Sequence, residues 1–199
     1  MNKLTRQVLW LVVVGGLALA ATLAFRQWTD RPIDNAQRDL QTREWLAVLP
    51  PGSYDNTPLQ APLELPAAQL THSQLLAGYR ATLAGAPSAV ILRSQAKGYA
   101  GPIELAIAIG ADGRLLGIRV LQQAESPGLG DQLVDPGLRW LEQFTGRTRN
   151  AAWALKRDSG DFDQLAGATV TSRAVLEALQ DALRYFDEHR SVLLGARDE

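Results

Sequence analysis

The clearest hydrophobic pattern in the chain is a strict alternation between positions 103 and 109. Isoleucine or leucine occupies every odd position of this segment, and small or charged residues occupy the even ones, as is typical of a strand with one buried face. The Asp112-Gly113 pair that follows predicts a hairpin turn. Apolar residues at 116, 118 and 120 predict the return strand, and segment 89–96 predicts another strand. The pattern therefore favours an antiparallel sheet.

Apolar residues at helical spacing predict a long amphipathic helix near the C-terminus. Within 173–186 they recur every three or four positions, so one side of the helix is apolar. We expect Thr171 or Ser172 to cap the N-terminus of this helix, because a hydroxyl can accept from backbone N–H groups that lack a partner there. The apolar positions are Val175, Leu179, Leu183 and Phe186.

Three further helices and one short strand are expected elsewhere. The helices fall within 35–49, within 65–83 and, after Pro136, within 131–144, and the strand falls at 152–156. Five of the ten prolines lie between positions 50 and 66. This part of the chain is therefore expected to be an extended, turn-rich connector.

A long apolar run occupies 8–25, where only Thr22 is polar. As a helix it would be about 27 Å long, close to the ~30 Å hydrocarbon thickness of a bilayer, so it predicts a membrane anchor. A cleaved signal peptide is the alternative, since the sequence 18–20 resembles a cleavage site. The run exceeds the usual signal core of ~7–15 residues, which favours an anchor. Basic residues flank both ends, so charge leaves the orientation open.

These patterns divide the chain into four segments and predict an α+β fold. The expected architecture is an N-terminal transmembrane helix followed by one domain with an antiparallel sheet and packed helices. The segments are a short tail at 1–7, the anchor at 8–25, a helix and proline-rich connector at 26–66, and the domain at 67–199.

Composition narrows the classes of function. The chain carries 20 basic and 21 acidic residues for a net charge of −1, so no excess of positive charge points to nucleic acid. Cysteine is absent, which excludes thiolate-held iron–sulfur clusters, cysteine zinc sites and disulfides. His72 and His189 lie far apart, and no metal site is predicted. No residue arrangement typical of hydrolytic catalysis occurs either, so no catalytic residue is predicted.

Two small-residue segments could approach a ligand closely. Segment 163–172 is rich in glycine, alanine and hydroxyl residues and leads directly into the predicted helix, whose N-terminus favours a phosphate. In segment 122–131, Gly128 and Gly130 flank Leu129 and would expose backbone N–H groups. Local chemistry alone favours a simpler interpretation of both segments, namely an ordinary helix start and an ordinary loop between a strand and a helix.

A resemblance to a known family changes this balance. The sequence from Asp163 to Thr169 resembles the flavinylation motif of the FMN-binding domain family, Asp-x-x-Ser/Thr-Gly-Ala-Thr, with Ala166 in the Ser/Thr position. Residues 123–130 resemble a second motif of the family, His-x-Glu-Thr-Pro-Gly-Leu-Gly. Gln123 stands in the His position and Ser126 in the Thr position. Two separated motifs are more specific than either alone, and the resemblance extends over roughly residues 89–187.

The resemblance implies a covalent cofactor. In this family a flavin transferase of the ApbE type esterifies FMN through its phosphate to the last Thr of the motif, which is Thr169 here. Tyr99, Trp140 and Trp153 are candidates to pack on the flavin ring. Further contacts to FMN are implied for nine residues: Glu125, Ser126, Gly128, Leu129, Gly130, Gly167, Ala168, Thr171 and Ser172.

Within the family the chain is most similar to the RnfG/RsxG component of the Rnf electron transport complex. The C component of the sodium-pumping NADH:quinone reductase is longer, so the length of this chain agrees less well with that component. The resemblance implies a redox subunit of a translocase that couples electron transfer between ferredoxin and NAD to ion translocation, and not a stand-alone catalyst. It implies other membrane subunits as partners and a bacterial inner-membrane location with the domain on the periplasmic side. The alternative is a membrane-tethered FMN-binding sensory or structural module without electron transfer.

Overall fold

The computed structural model describes residues 6, 10, 12–22, 45–135 and 137–195. Two compact units divide at residue 44, and in the first of them residues 12–22 are helical. Among the described residues no helix is both long enough and apolar enough to cross a membrane.

Several predictions concern residues outside the described ones. These are most of the tail at 1–7, both ends of the anchor at 8–25, the first part of the connector at 26–44 with most of the helix expected at 35–49, and positions 196–199 of the domain.

Four strands form one antiparallel sheet in chain order. They are β1 (Ser73–Leu83), β2 (Ala86–Lys97), β3 (Pro102–Gly110) and β4 (Leu115–Gln122). The strands expected at 89–96, 103–109 and 116–120 are thus confirmed. The β3–β4 hairpin turns at Gly113, which takes a positive φ of 85°, as its place after Asp112 predicts.

The helix expected within 65–83 is wrong, because most of this segment is strand β1. A β-bulge interrupts the pairing with β2 between Leu75 and Ala77, so an extra residue separates side chains that face the same side of the sheet. The apolar residues at 70, 75, 76 and 79 suggest a helix, but the bulge places Leu75 and Tyr79, four positions apart, on opposite faces of the sheet. Pairing along the full length of β2 overrides that local pattern.

One long helix, α1 (Thr169–Glu188), packs across one face of the sheet, and a short helix, α2 (Arg190–Leu194), follows it. The four apolar positions predicted for α1 are all fully buried. They pack against the alternating isoleucine and leucine side chains of β3. Removing this apolar surface from water is the main contribution to the stability of the domain.

The opposite sheet face is covered by the first residues of the described connector. This face is lined by alanines of β1, β2 and β3, and Val48 and Leu49 pack against them. Gly117 of β4 allows the closest approach, since a Cβ there would collide with the carbonyl of Val48. Beyond this contact, turns and a 3-10 helix at Pro58–Gln60 agree with the turn-rich connector expected here.

Between β4 and α1 the chain forms short 3-10 helices in place of the expected elements. The helix expected within 131–144 is replaced by Gly130–Val134 and Trp140–Phe144. Helical geometry stops between them because the Asp135 carboxylate accepts from the N–H of Gly137 and Arg139 takes a φ of +50°.

The strand expected at 152–156 is also wrong. It is reduced to a single bridge between Leu155 and Phe162, followed by a 3-10 helix at Lys156–Asp158. Ser159 takes a φ of +65°, and the N–H of Gly160 donates back to the carbonyl of Leu155 at 3.0 Å. The chain therefore reverses before an extended segment can form.

A buried carboxylate joins α1 to the start of β1. Asp181 is 2% exposed, and its Oδ2 accepts from the N–H of His72 at 2.7 Å and from the N–H and hydroxyl of Ser73 at 3.1 Å. Arg184 donates to Oδ1 at 2.9 Å. These bonds satisfy backbone donors that precede the first pairing of β1, and so fix the position of the helix on the sheet.

We predict that Asp181→Ala destabilises the domain by at least about 2 kcal/mol, because it leaves buried donors of β1 without an acceptor. Denaturant unfolding of the variant and the parent measures the difference. Asp187→Ala is the matched control, since Asp187 lies on the same helix in a surface ion pair with Arg149 at 3.5 Å, and surface pairs contribute about 0–1 kcal/mol. Equal losses in the two variants would contradict the anchoring role of Asp181.

Candidate functional site

A cavity of about 290 Å³ lies where the loop after β4 meets the N-terminus of α1. Eight of the ten residues implicated by the two motifs line it, and they come from both motifs. Tyr99 and Val170 complete the lining. The lining residues are Tyr99, Glu125, Ser126, Leu129, Gly130, Gly167, Ala168, Thr169, Val170 and Thr171.

The loop after β4 is shaped by its own hydrogen bonds. The N–H of Glu125 donates to Oε1 of Gln123 at 2.6 Å, and the N–H of Leu129 donates to the carbonyl of Ser126 at 3.2 Å. Gly128 takes a φ of +76° in this turn, a conformation that favours glycine. Gly128 is therefore a turn residue beside the cavity and does not line it.

Glu125 places a carboxylate in the wall of the cavity and joins three segments. Its side chain is 7% exposed. Oε2 accepts from the hydroxyl of Thr171 in the first turn of α1, and Oε1 accepts from the N–H of Ala100 at 3.2 Å. Ala100 lies in the turn between β2 and β3, where the N–H of Gly98 donates to the carbonyl of Gly101 at 2.8 Å.

Two glycines leave room for this carboxylate. A Cβ at Gly98 would collide with Oε1 of Glu125, and a Cβ at Gly130 would lie 2.5 Å from Oε2. A third glycine brings the two motifs into contact, because a Cβ at Gly167 would lie 2.7 Å from Cδ2 of Leu129. Gly167 also takes a φ of +73°. The glycines of both motifs are therefore explained by close approach or by backbone conformation.

The expectation that Thr171 or Ser172 caps α1 is wrong. The helix begins at Thr169, and the residue before it, Ala168, makes no side-chain capping bond, so both hydroxyl residues lie inside the first turn. The Ser172 hydroxyl accepts from the N–H of Leu165 at 2.9 Å and donates to the carbonyl of Ala168 at 2.8 Å. Ser172 thus lies behind the cavity wall and holds the loop that contains Gly167.

Thr169 is half-buried and lines the cavity at the helix start. Its hydroxyl donates to Oε1 of Gln164 at 3.5 Å, the outer limit of a hydrogen bond. Nearby N–H groups in the first turn of an α-helix have no carbonyl partner in that helix, and the helix dipole is positive there. This wall therefore combines an available hydroxyl with a site that favours an anion.

The three aromatic candidates for packing on the flavin ring lie in two different places. Tyr99 lines the cavity and is 70% exposed. Trp140 and Trp153 instead pack with Phe144 and Phe162, away from the cavity. The indole N–H of Trp140 donates to the carbonyl of Asp163 at 2.8 Å. These two tryptophans therefore support the loop that precedes α1.

Val170 also lines the cavity and is 52% exposed, although neither motif implicates it. Its place between two implicated threonines was the available signal. The first residue of the flavinylation motif, Asp163, is exposed, and its Oδ2 accepts from Nζ of Lys156 at 2.7 Å. Asp163 therefore helps to hold the loop before α1. Ala166 is exposed and does not line the cavity. No group of three or more potential metal ligands occurs within the described part of the chain.

We predict that Ser172→Ala lowers the free energy of unfolding by about 1–3 kcal/mol, because the buried N–H of Leu165 loses its acceptor. Ser126→Ala is the matched control, since Ser126 is partly exposed and surface substitutions usually change stability by less than about 0.5 kcal/mol. Chemical denaturation monitored by tryptophan fluorescence compares the two. A Ser172→Ala protein as stable as the control would show that this hydroxyl does not hold the loop.

Comparisons with known proteins agree with this geometry. Residues 98–184 match the family model of the FMN-binding domain, a range that contains every lining residue of the cavity. Over 203 residues the chain is 43% identical to the G component of the ion-translocating oxidoreductase complex of Pseudomonas aeruginosa, with 99% of this chain and 92% of that protein covered.

The component of the same name from Stutzerimonas stutzeri is 36% identical over 188 residues, covering 92% of this chain and 81% of that protein. The crystal structure of Shewanella oneidensis NqrC is similar with a TM-score of 0.46 and 22% identity, over 58% of this chain and 61% of that chain. From the identity to its relatives over nearly the full length, the chain belongs to the family of G components of ion-translocating oxidoreductase complexes, and it contains an FMN-binding domain.

Proposed function

We propose that the chain is an electron-carrying subunit of a membrane-bound ion-translocating oxidoreductase complex and holds FMN esterified to Thr169. The observation that carries this proposal is the cavity, in which the Thr169 hydroxyl, the start of α1 and the loop at 123–130 meet. Residues 131–162 separate the two motifs in the sequence, so their convergence is a property of the fold.

The start of α1 suits a phosphate ester. A negative phosphate would be stabilised by the unpaired N–H groups and the dipole of the helix. In the proposed attachment Oγ1 of Thr169 bonds to the phosphorus of the FMN part of a flavin dinucleotide. The bond that joins this phosphorus to the second phosphate breaks, the nucleoside monophosphate leaves, and the hydroxyl proton passes to the transferase or to solvent. A threonine hydroxyl is a weak nucleophile, so this step needs a partner enzyme, a flavin transferase of the ApbE type. The net addition is FMN less one water.

The rest of the cavity suits a flat ring that is partly apolar. Tyr99, Leu129 and Val170 supply apolar surface, and Glu125 and Ser126 supply polar groups, the usual combination in a cofactor site. When bound, FMN supplies the electron transfer, and the protein supplies position and electrostatics. Tyr99 and Val170 are largely exposed, so the cavity is open on their side and a neighbouring redox subunit could approach a bound ring there.

The names of the relatives support a place in a multi-subunit complex. There the chain would pass electrons between other membrane subunits, within a path that links ferredoxin and NAD and drives ion translocation. The apolar run at 8–25 would serve as a single-pass anchor in the bacterial inner membrane, with the FMN-binding domain on the periplasmic side. Covalent attachment would then prevent loss of FMN outside the cytoplasm.

We predict that the full chain produced with an active flavin transferase gains the mass of FMN minus water on the peptide that contains Thr169. Thr169→Ala should lose this adduct completely and lose electron transfer by the assembled complex, since no ester oxygen remains. Intact-mass and peptide-mass analysis measures the adduct, and assays on membranes measure electron transfer.

Thr145→Ala is the matched control, because Thr145 is exposed and lies outside the cavity, and it should keep the adduct. An unmodified Thr169 peptide in the parent protein would contradict covalent attachment. Normal electron transfer by Thr169→Ala would instead favour a tethered FMN-binding module with a sensory or structural role.

A further inference from the structure

Glu125 differs from the other buried carboxylates of the described residues. Three carboxylate side chains are buried there, those of Glu104, Glu125 and Asp181. Arg93 donates to Glu104 at 2.6 Å, and Arg184 donates to Asp181 at 2.9 Å. Glu125 forms no ion pair within the described part of the chain and is held only by the Thr171 hydroxyl and the N–H of Ala100.

A buried carboxylate without a cation carries a cost in stability. Removing a charge from water is unfavourable unless a partner compensates for it, and two hydrogen bonds from neutral groups compensate only in part. The contrast with Glu104 and Asp181, which are both paired with arginine, therefore points to a role for the charge of Glu125 itself.

The position of Glu125 directs that charge to the cavity. Among the described residues that line the cavity, Glu125 is the only Asp, Glu, Lys or Arg. On its other sides the carboxylate meets the backbones of Gly98 and Gly130, and neither residue has a side chain that could screen it. In a site with a low local dielectric, an unscreened charge interacts strongly with a neighbouring group.

We propose that the fixed negative charge of Glu125 lowers the reduction potential of the flavin bound in this cavity. The inference rests on the proposed function, because it requires FMN at Thr169. In the two-electron couple the oxidised ring takes two electrons from a mediator dye and one proton from the solvent, so the ring gains one net negative charge. A carboxylate beside the ring disfavours that product, and the protein thereby tunes its cofactor by charge.

The test compares reduction potentials of full chains loaded by the transferase, after mass analysis has confirmed the adduct. Glu125→Gln removes the charge but keeps both hydrogen bonds, since the amide oxygen can accept from Ala100 and the amide NH₂ can donate to Thr171. The reduction potential of Glu125→Gln should be more positive by at least about 30 mV, which for two electrons is a tenfold change in the equilibrium constant of reduction.

Glu188→Gln is the matched control. It makes the same chemical change on the exposed last turn of α1, about 25 Å along the helix from Thr171, and should leave the potential unchanged. A role of Glu125 limited to packing would alter loading or stability without this positive shift. An unchanged or more negative potential in Glu125→Gln therefore overturns the proposal.

Thr171→Val provides a second variant if Glu125→Gln does not load. It removes the hydroxyl that disperses the charge of the carboxylate, so the potential should move in the negative direction, and a potential that stays or rises overturns the proposal. Parent protein without an adduct would instead contradict the proposed function, and with it this inference. Loaded parent and variant proteins of equal potential would contradict only the role assigned to Glu125.

Discussion

The packing of α1 across the sheet is the interaction on which the rest of this domain depends. The apolar side of the helix is buried against β3, and Asp181 bonds the start of β1, so the helix cannot slide or rotate on the sheet without breaking buried hydrogen bonds. Its N-terminus is thereby held beside the loop that follows β4. The cavity forms because the loop after β4 and the start of α1, which are far apart in sequence, lie next to each other in the fold.

The sequence predicted this arrangement well where local pattern and tertiary structure agree. Alternation identified β3 and β4, and helical spacing identified the buried side of α1. Prediction failed at β1, where apolar residues at helical spacing belong to a bulged strand and lie on opposite faces of the sheet. It also failed between β4 and α1, where side-chain bonds and positive φ values interrupt the helix. These effects depend on partners distant in the sequence, which local propensity does not contain.

Most of the lining was found through resemblance to motifs, and the structure separates the residues by what they do. Residues of both motifs meet at the cavity, whereas Gly128 forms the turn and Ser172 holds the loop behind the wall. Motif matching does not distinguish these roles, because a motif contains residues that support a site as well as residues that contact a ligand. Hydrogen-bond partners and burial make the distinction.

The glycines around Glu125 also restrict how this chain can vary. A side chain at Gly98 or Gly130 would occupy the volume of the carboxylate, so either position can enlarge only if residue 125 becomes smaller. Substitutions at residues in contact are not additive, so the effect of a change at any one of these three positions depends on the other two. A shorter residue at 125 would not by itself make room for alanine, because a Cβ at Gly98 would also lie 2.9 Å from the carbonyl of Gly101, and a Cβ at Gly130 would lie 2.7 Å from Cβ of Glu125. The turn between β2 and β3 and the loop after β4 are therefore constrained together by one carboxylate, although they are separate segments of the chain.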